Sequence, residues 1–171
     1  HGEGSIGLIS SRLSLEGPII KDKTSFIVSA RRTYIDLLAR PLIKAAAKSQ
    51  GSELVAGYYF YDLNAKANYE IDDKNKVYIS GYFGRDKFYL NAKESYNGDT
   101  YKSKVNFGWG NATGTARWNH IVNPKLFSNT SLIYSFYELA IKAEEEENGD
   151  ALFSLRYGSG IRDFSLKQDF D

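Results

Sequence analysis

From Tyr58 to Tyr89 the chain alternates at nearly every step. In the first run Tyr59, Tyr61, Leu63, Ala65, Ala67, Tyr69 and Ile71 take the odd positions, while Asp62, Asn64, Lys66, Asn68 and Glu70 take the even ones. A second run sets Val77, Ile79, Gly81 and Phe83 against Tyr78, Ser80, Tyr82 and Asp86. A period of two puts successive side chains on opposite faces, so each run reads as a strand with one dry face and one wet face. Asp72-Asp73-Lys74-Asn75 between them is turn chemistry, and the pair reads as a long β-hairpin. Strands of soluble proteins run about 5–6 residues, whereas a strand that crosses a bilayer needs about 9–11. These arms are of the longer kind and predict a transmembrane barrel. With the turn at 72–75, the expected register opposes Tyr69 to Ile79, Ala67 to Gly81 and Ala65 to Phe83 on the lipid side. On the lumen side it opposes Glu70 to Tyr78, Asn68 to Ser80 and Lys66 to Tyr82.

Composition agrees with such a wall. Aromatic residues make up 15% of the 171, with 13 Tyr and 10 Phe, yet mean hydropathy is −0.43. No unbroken apolar run reaches the roughly 18 residues of a spanning helix. A membrane strand shows lipid only every second residue, which dilutes hydropathy in this way. The 22 basic and 21 acidic residues nearly balance, which leaves no electrostatic footprint for nucleic acid. With no Cys, disulfide staples and thiolate metal sites are excluded.

Further strands are expected at 8–17, 25–38, 110–122, 127–142 and 152–169, after a strand end at His1–Ile6 that reverses near Gly7. Leu37, Leu38, Leu42, Ile43 and Ala45–Ala47 suit a short helix over 36–48, interrupted by Pro41. The parity of the last strand slips near Arg162-Asp163, as a bulge would cause. Connections at 17–23, 72–75 and 123–125 read as short turns. Those at 39–57, 91–109 and 144–150 read as long loops. Short turns on the periplasmic side and long loops outside are the rule for outer-membrane barrels.

Candidate sites follow from the same pattern. The polar set Asp62, Asn64, Lys66, Asn68 and Glu70 would line a lumen or meet a plug inside it. Tyr89, Tyr96, Tyr101, Phe107 and Trp109 are candidates for stacking on an extracellular ligand. Gly2-Glu3-Gly4-Ser5-Ile6-Gly7 matches a dinucleotide fingerprint literally, but a strand pattern follows where a helix is required. His1 and His120 are the only histidines and share no ligand spacing, so neither a metal nor a cofactor nor an enzyme activity is expected. The Glu144–Glu147 run reads as a solvated loop.

The run from Gly7 to Ile19, with Gly17-Pro18-Ile19 before Lys21-Asp22-Lys23 and the strand Ser25–Tyr34, resembles the barrel of a TonB-dependent outer-membrane receptor. The branch it is similar to is the SusC-like and carboxypeptidase-regulatory-domain one. Tyr78–Asp86, and Trp118-Asn119 ahead of Asn123-Pro124, match as well, and the resemblance covers essentially the whole chain. It implies an all-β antiparallel meander of about seven to eight long strands within a transmembrane barrel of about 22 strands. Residues 1–171 would then run from the end of the first barrel strand through about the eighth. The chain opens in what reads as mid-strand and contains no Met, so it is expected to be a segment of a longer protein. The resemblance further implies a Gram-negative outer-membrane location and a share in nutrient import. Implied partners are membrane lipid, a plug domain, the remaining strands, a surface lipoprotein and, through an N-terminal part upstream of the plug, TonB. Two other readings stand beside it: a self-contained outer-membrane barrel of about eight strands with a structural or adhesive role, and a soluble β-sandwich or lipocalin-like binder.

Overall fold

A computed structural model of the chain describes residues 1–49 and 51–171. Eight strands and one helix follow in order: β1 (Gly2–Ile6), β2 (Ser10–Ile20), β3 (Thr24–Thr33), α1 (Ile35–Ser49), β4 (Glu53–Asp72), β5 (Asn75–Tyr96), β6 (Asp99–Asn123), β7 (Leu126–Glu147) and β8 (Asp150–Phe170). They form one antiparallel sheet in which every strand pairs with its sequence neighbour, β1 and β8 lying at the edges. The five strands after the helix are 20 to 25 residues long. The sheet is open: a five-residue β1 and a 21-residue β8 are not matched in length for closing an eight-strand barrel. Among the described residues no second sheet covers either face, as a sandwich would require.

Register fixes which residues share a face. One face, named here after Tyr61, carries four apolar rows that start in β4. They are Leu63–Phe83–Ala112–Phe136, Ala65–Gly81–Gly114–Tyr134–Phe164, Ala67–Ile79–Ala116–Leu132–Leu166, and Tyr69–Val77–Trp118. Two of them run on to β8, while the Leu63 row meets Arg162 there and the Tyr69 row turns polar at Thr130. Val28 and Leu15 continue the Ala65 row into β3 and β2. Rows repeat every second residue, so the six steps from Leu63 to Tyr69 span about 20 Å along the strand. At a tilt of about 40° that is a band of about 15 Å, with Tyr69 and Trp118 at one border and Tyr61 one row beyond the other, within the height of the apolar belt of a membrane barrel. These side chains are not packed away. Ile79 is 60% exposed and Leu132 57%, and Ala47 on the helix is the only buried apolar residue among those described. The sheet has no core of its own, and its apolar band is far larger than the patches soluble monomers leave in water.

The connections depart from expectation in a consistent way. The segments 91–109 and 144–150, expected as long loops, are continuous β-arms. Asn97-Gly98 (φ 53° and 94°) and Asn148-Gly149 (φ 51° and 96°) form two-residue turns with both centres left-handed. That geometry matches strand twist, and Asn-Gly is its preferred sequence. Polar side chains suit the arms because they stand beyond the apolar band. Cross-strand pairs hold them, including Lys104 to Glu146 at 3.3 Å and the Tyr101 hydroxyl donating to Glu147 at 2.6 Å. Strand length, rather than loop length, therefore distinguishes the two ends of the sheet.

Three further corrections concern β3, β4 and β8. Strand β3 ends at Thr33, not 38. The Thr33 hydroxyl accepts from the Phe60 amide at 2.9 Å and closes the ladder, and α1 then runs unbroken through Pro41. The Ala45–Ala47 run and the packing of α1 on β4 compensate for the hydrogen bond that Pro41 cannot donate. The β4–β5 register is two residues tighter than expected, Ala67 facing Ile79 and Asn68 facing Tyr78. Asp73-Lys74 alone makes the turn, with a bulge at Ile71. Asp72 Oδ1 accepts the Lys74 amide at 2.8 Å, and both its oxygens accept from Asn75 Nδ2. These bonds, the Lys74 one first, hold the Asp72 carboxyl below its usual range, so the turn gains stability above that range and loses it as pH falls through the lowered value. In β8 the ladder passes Arg162-Asp163 without a break, and the bulge sits instead at Leu152, beside the turn.

The chain lacks Cys, so paired cysteines test the register directly. Asn68→Cys with Tyr78→Cys should oxidise to a disulfide, since opposed residues bring Cβ atoms to about 4.5–5.5 Å. Asn68→Cys with Ser80→Cys, a diagonal pair at about 7–8 Å, should not. The reverse pattern would restore the looser register.

Candidate functional site on the two faces of the sheet

Parity places Asp62, Asn64, Lys66, Asn68 and Glu70 together on the face opposite the apolar band, here the Asp62 face. Across the sheet they continue as polar rows. Asn68 lines up with Tyr78, Arg117, Ser131 and Lys167, and Asn64 with Tyr82, Thr113, Ser135 and Asp163. Most of the five are engaged. Arg31 donates from Nε and Nη2 to Asp62 Oδ2 at 2.9 and 2.7 Å. Glu70 pairs with Lys76 at 2.7 Å, and Asn68 accepts from the Ser25 amide at 3.1 Å. Lys66 and Asn68 also line a cavity of about 840 Å³ with Tyr78, Ser80, Thr115 and Arg117. It opens on this face near the short-turn end and offers hydroxyls, an amide, two cations and the Glu16 carboxylate, with His1 at its rim, to whatever fills the concavity. Nearby, Asn119 and Asn129 face each other across β6 and β7, and each leaves a buried carboxamide oxygen without a partner among the described residues.

The five aromatic candidates do not form one site. Tyr89 lies on the Tyr61 face beneath α1, where a Cβ on Gly57 would stand 2.5 Å from its hydroxyl and 2.8 Å from Asp36 Cβ. Tyr96 sits at a hairpin tip, 72% exposed, and Tyr101 is tied to Glu147. Phe107 and Trp109 do come together, with ring centroids 5.1 Å apart. Trp109 stacks on Tyr58 at 6.4 Å, and the Tyr58 hydroxyl donates to Asp86.

That cluster belongs to a larger feature. Above Asp62 the two faces exchange character. On the Asp62 face the rows become Phe60–Asp86–Trp109–Leu139, Tyr58–Phe88–Phe107–Ile141–Tyr157 and Ala56–Leu90–Val105–Ala143–Leu155. On the Tyr61 face they become Tyr61–Arg85–Gly110–Glu138 and Tyr59–Lys87–Gly108–Ala140, with Arg85 3.0 Å from Glu138. The apolar surface thus passes from one side of the sheet to the other within about two residues of strand. Tyr58, Phe60 and Phe88 are missing from the sequence candidates. Their signal is present in β4, where even positions read Leu54, Ala56, Tyr58 and Phe60 before turning polar at Asp62.

Among the described residues no group of His, Cys, Asp or Glu is arranged to hold a metal ion, and no helix is long and apolar enough to cross a membrane. The chemistry on offer is recognition by stacking, hydrogen bonding and charge.

No protein-family model matches the chain, and no curated protein does. Solved structures do. The RagAB peptide transporter superposes over 94% of this chain with a TM-score of 0.64 at 9% identity. The ferric yersiniabactin uptake receptor FyuA of Yersinia pestis does so over 94% with a TM-score of 0.51, also at 9% identity. RagAB in its open-open state gives 0.58 at 6% identity. This chain spans 25% of the length of each of these proteins. At such identities the likeness is one of fold: the sheet of this chain follows the fold of a stretch of barrel wall in these proteins.

Proposed function

We propose that the chain is a wall and extracellular-arm segment of a nutrient importer of the TonB-dependent receptor type, in the outer membrane of a Gram-negative bacterium. The observation that carries this reading is the four-row apolar band on the Tyr61 face, backed by the polar Asp62 face. A wall between lipid and a wet lumen requires that pairing, and the fold shared with RagAB and FyuA supports it. On this reading the short turns at 21–23, 73–74 and 124–125 are periplasmic and the Asn-Gly hairpins point outward. Asp62, Asn64, Lys66, Asn68 and Glu70 then face the lumen and a plug. Membrane lipid covers the band, further strands of the same barrel continue from β1 and β8, and TonB acts through an N-terminal part upstream of the plug. A SusC-like arrangement adds a surface lipoprotein over the outward arms.

Ligand contact falls to the aromatic surface around Tyr58, Phe60, Phe107 and Trp109. It lies on the lumen side above the membrane, and every Lys and Arg of β4 to β8 at that height is on the opposite face. Stacking and apolar contact would hold a passing solute there, with Arg31 of β3, 4.9 Å from the Phe60 ring centre, as the bordering cation.

The two tryptophans stand on opposite faces, Trp118 in the band and Trp109 over the lumen. In the full-length protein reconstituted in vesicles, with every tryptophan outside this segment replaced by Phe, brominated lipid should quench Trp118 in a Trp109→Phe variant. It should leave Trp109 unquenched in a Trp118→Phe variant. Quenching of both, or of neither, would remove the wall assignment. Charge should discriminate the faces as well. Ala67→Arg should cost roughly 2–4 kcal/mol in folding into vesicles if it lies at the midplane, while Asn68→Arg should cost close to nothing. For import, a strain lacking the gene should lose growth on a nutrient that the intact gene restores, and a protonophore should abolish that uptake. Trp109→Ala should reduce it, with the folded amount of protein unchanged.

A further inference from the structure

Above the apolar band the basic residues are sorted. Arg85, Lys87 and Lys93 of β5, Lys102 and Lys104 of β6, Lys142 of β7 and Arg156 of β8 all lie on the Tyr61 face. Strand alternation offers both faces equally, and solubility alone would use both. Four of these cations, Arg85, Lys87, Lys142 and Arg156, rim a cleft of about 560 Å³. Its floor is a row without side-chain bulk, Gly108 and Gly158 flanking Ala140, and Tyr59 and Tyr61 stand at one side.

Lys142 and Arg156 face each other directly across β7 and β8, an arrangement that is destabilising in itself. Glu144 Oε1 lies 2.8 Å from Lys142 and 3.6 Å from Arg156, so one carboxylate offsets two cations. Among the described residues no ion pair involves Lys87. Arg85 is itself paired with Glu138 at 3.0 Å, so two carboxylates stand against four cations and the cleft keeps a surplus of positive charge centred on Lys87, Lys142 and Arg156.

Its height is informative. Phe83 is the last apolar residue of the band in β5, and Arg85 and Lys87 follow two and four residues later. At a strand tilt of about 40° they stand about 5 and 10 Å beyond the hydrocarbon edge. A bilayer places its headgroups in that layer.

We propose that this cleft binds a phosphorylated glycolipid of the outer leaflet. Its phosphates pair with the four cations, its sugar lies on the glycine floor against Tyr59 and Tyr61, and its acyl chains run down the band below. The inference rests on the proposed membrane orientation, in which the Tyr61 face meets lipid and the Asn-Gly hairpins point outward.

The test uses the full-length protein in nonionic detergent, with binding read by native mass spectrometry. The probes are diphosphoryl lipid A, the same lipid with both phosphates removed, and inorganic pyrophosphate. The unmodified protein should prefer diphosphoryl lipid A. The triple variant Lys87→Gln, Lys142→Gln, Arg156→Gln should bind it about tenfold or more weakly, as expected for three cations near a membrane surface. Lys21→Gln with Lys23→Gln, at the opposite end of the sheet, should change nothing. Single Lys142→Gln, which leaves Arg156 with Glu144, should give a smaller loss and covers the case in which the triple variant does not fold. The proposal is overturned if the folded variants retain diphosphoryl lipid A like the unmodified protein, or if the dephosphorylated lipid binds equally well. It is also overturned if pyrophosphate binds as tightly, which would mark a small-anion site. If Trp118 is quenched by brominated lipid while these preferences are absent, the cleft proposal alone falls and the wall assignment stands.

Discussion

Unbroken backbone pairing from β4 to β8 is the constraint on which everything else depends. In those strands the ladder shifts only beside turns, between Glu70 and Asp72, between Ile121 and Asn123, and between Glu145 and Glu146. Between those points a strand has no freedom to rotate, because a slip of one residue would send every side chain to the other face. Five strands hold one phase through the band, so Leu63, Phe83, Ala112 and Phe136 share a row, as do Ala67, Ile79, Ala116 and Leu132. The same pairing satisfies each backbone amide and carbonyl away from the edges, which a strand in hydrocarbon cannot do without neighbours. The sheet has almost no buried side chains among the described residues, so on the proposed orientation lipid on one side and a filled lumen on the other supply the burial that an internal core supplies elsewhere.

With phase fixed, function is written in where polarity changes along a strand. In β5 the odd positions pass from Phe83 to Arg85, and in β4 the even positions pass from Asp62 to Phe60. Both changes occur at the same height, since Tyr61 pairs Arg85 and Phe60 pairs Asp86. On the proposed orientation a bilayer surface accounts for this coincidence. Below it the outer side must be apolar and the inner side wet. Above it the outer side meets headgroups and water, and the inner side is free to present Tyr58, Phe107 and Trp109 to a solute or to other parts of the barrel. The basic cleft and the aromatic surface are thus two consequences of one boundary.

Much of the fold is legible in residues 58–71, where alternation is strict and the polar face consists of Asp62 through Glu70. The sheet order follows from the turns, and all five polar candidates do share a face. The arms are less legible, because 91–104 and 144–150 are largely polar on both sides of the alternation and so resemble loops. Asn97-Gly98 and Asn148-Gly149 carry the hairpin signal there, and it outweighs composition. Register is hard to read from alternation, since a shift of two residues preserves every face; the bulge at Ile71 decides it. Tyr89 looks like an extracellular aromatic, but its odd parity puts it under α1, and that contact depends on Gly57 leaving space. The aromatic surface escapes notice because its members come from different strands and each run is interrupted, as Phe88 is by Asp86.

The exchange of faces at one height is the central claim, and a spin-label scan of β5 from Lys76 to Tyr96 in vesicles tests it most directly. Accessibility to oxygen and to a water-soluble nickel complex reports lipid and water separately at each position. Labels at 77, 79, 81 and 83 should be reached by oxygen and those at 78, 80 and 82 should not. From 85 onward the odd positions other than 89, which lies under α1, should be reached by nickel, and 88 and 90 should be shielded from both. A period-two oxygen signal continuing in the same phase to the tip at Tyr96, or no period at all between 77 and 83, would contradict the account.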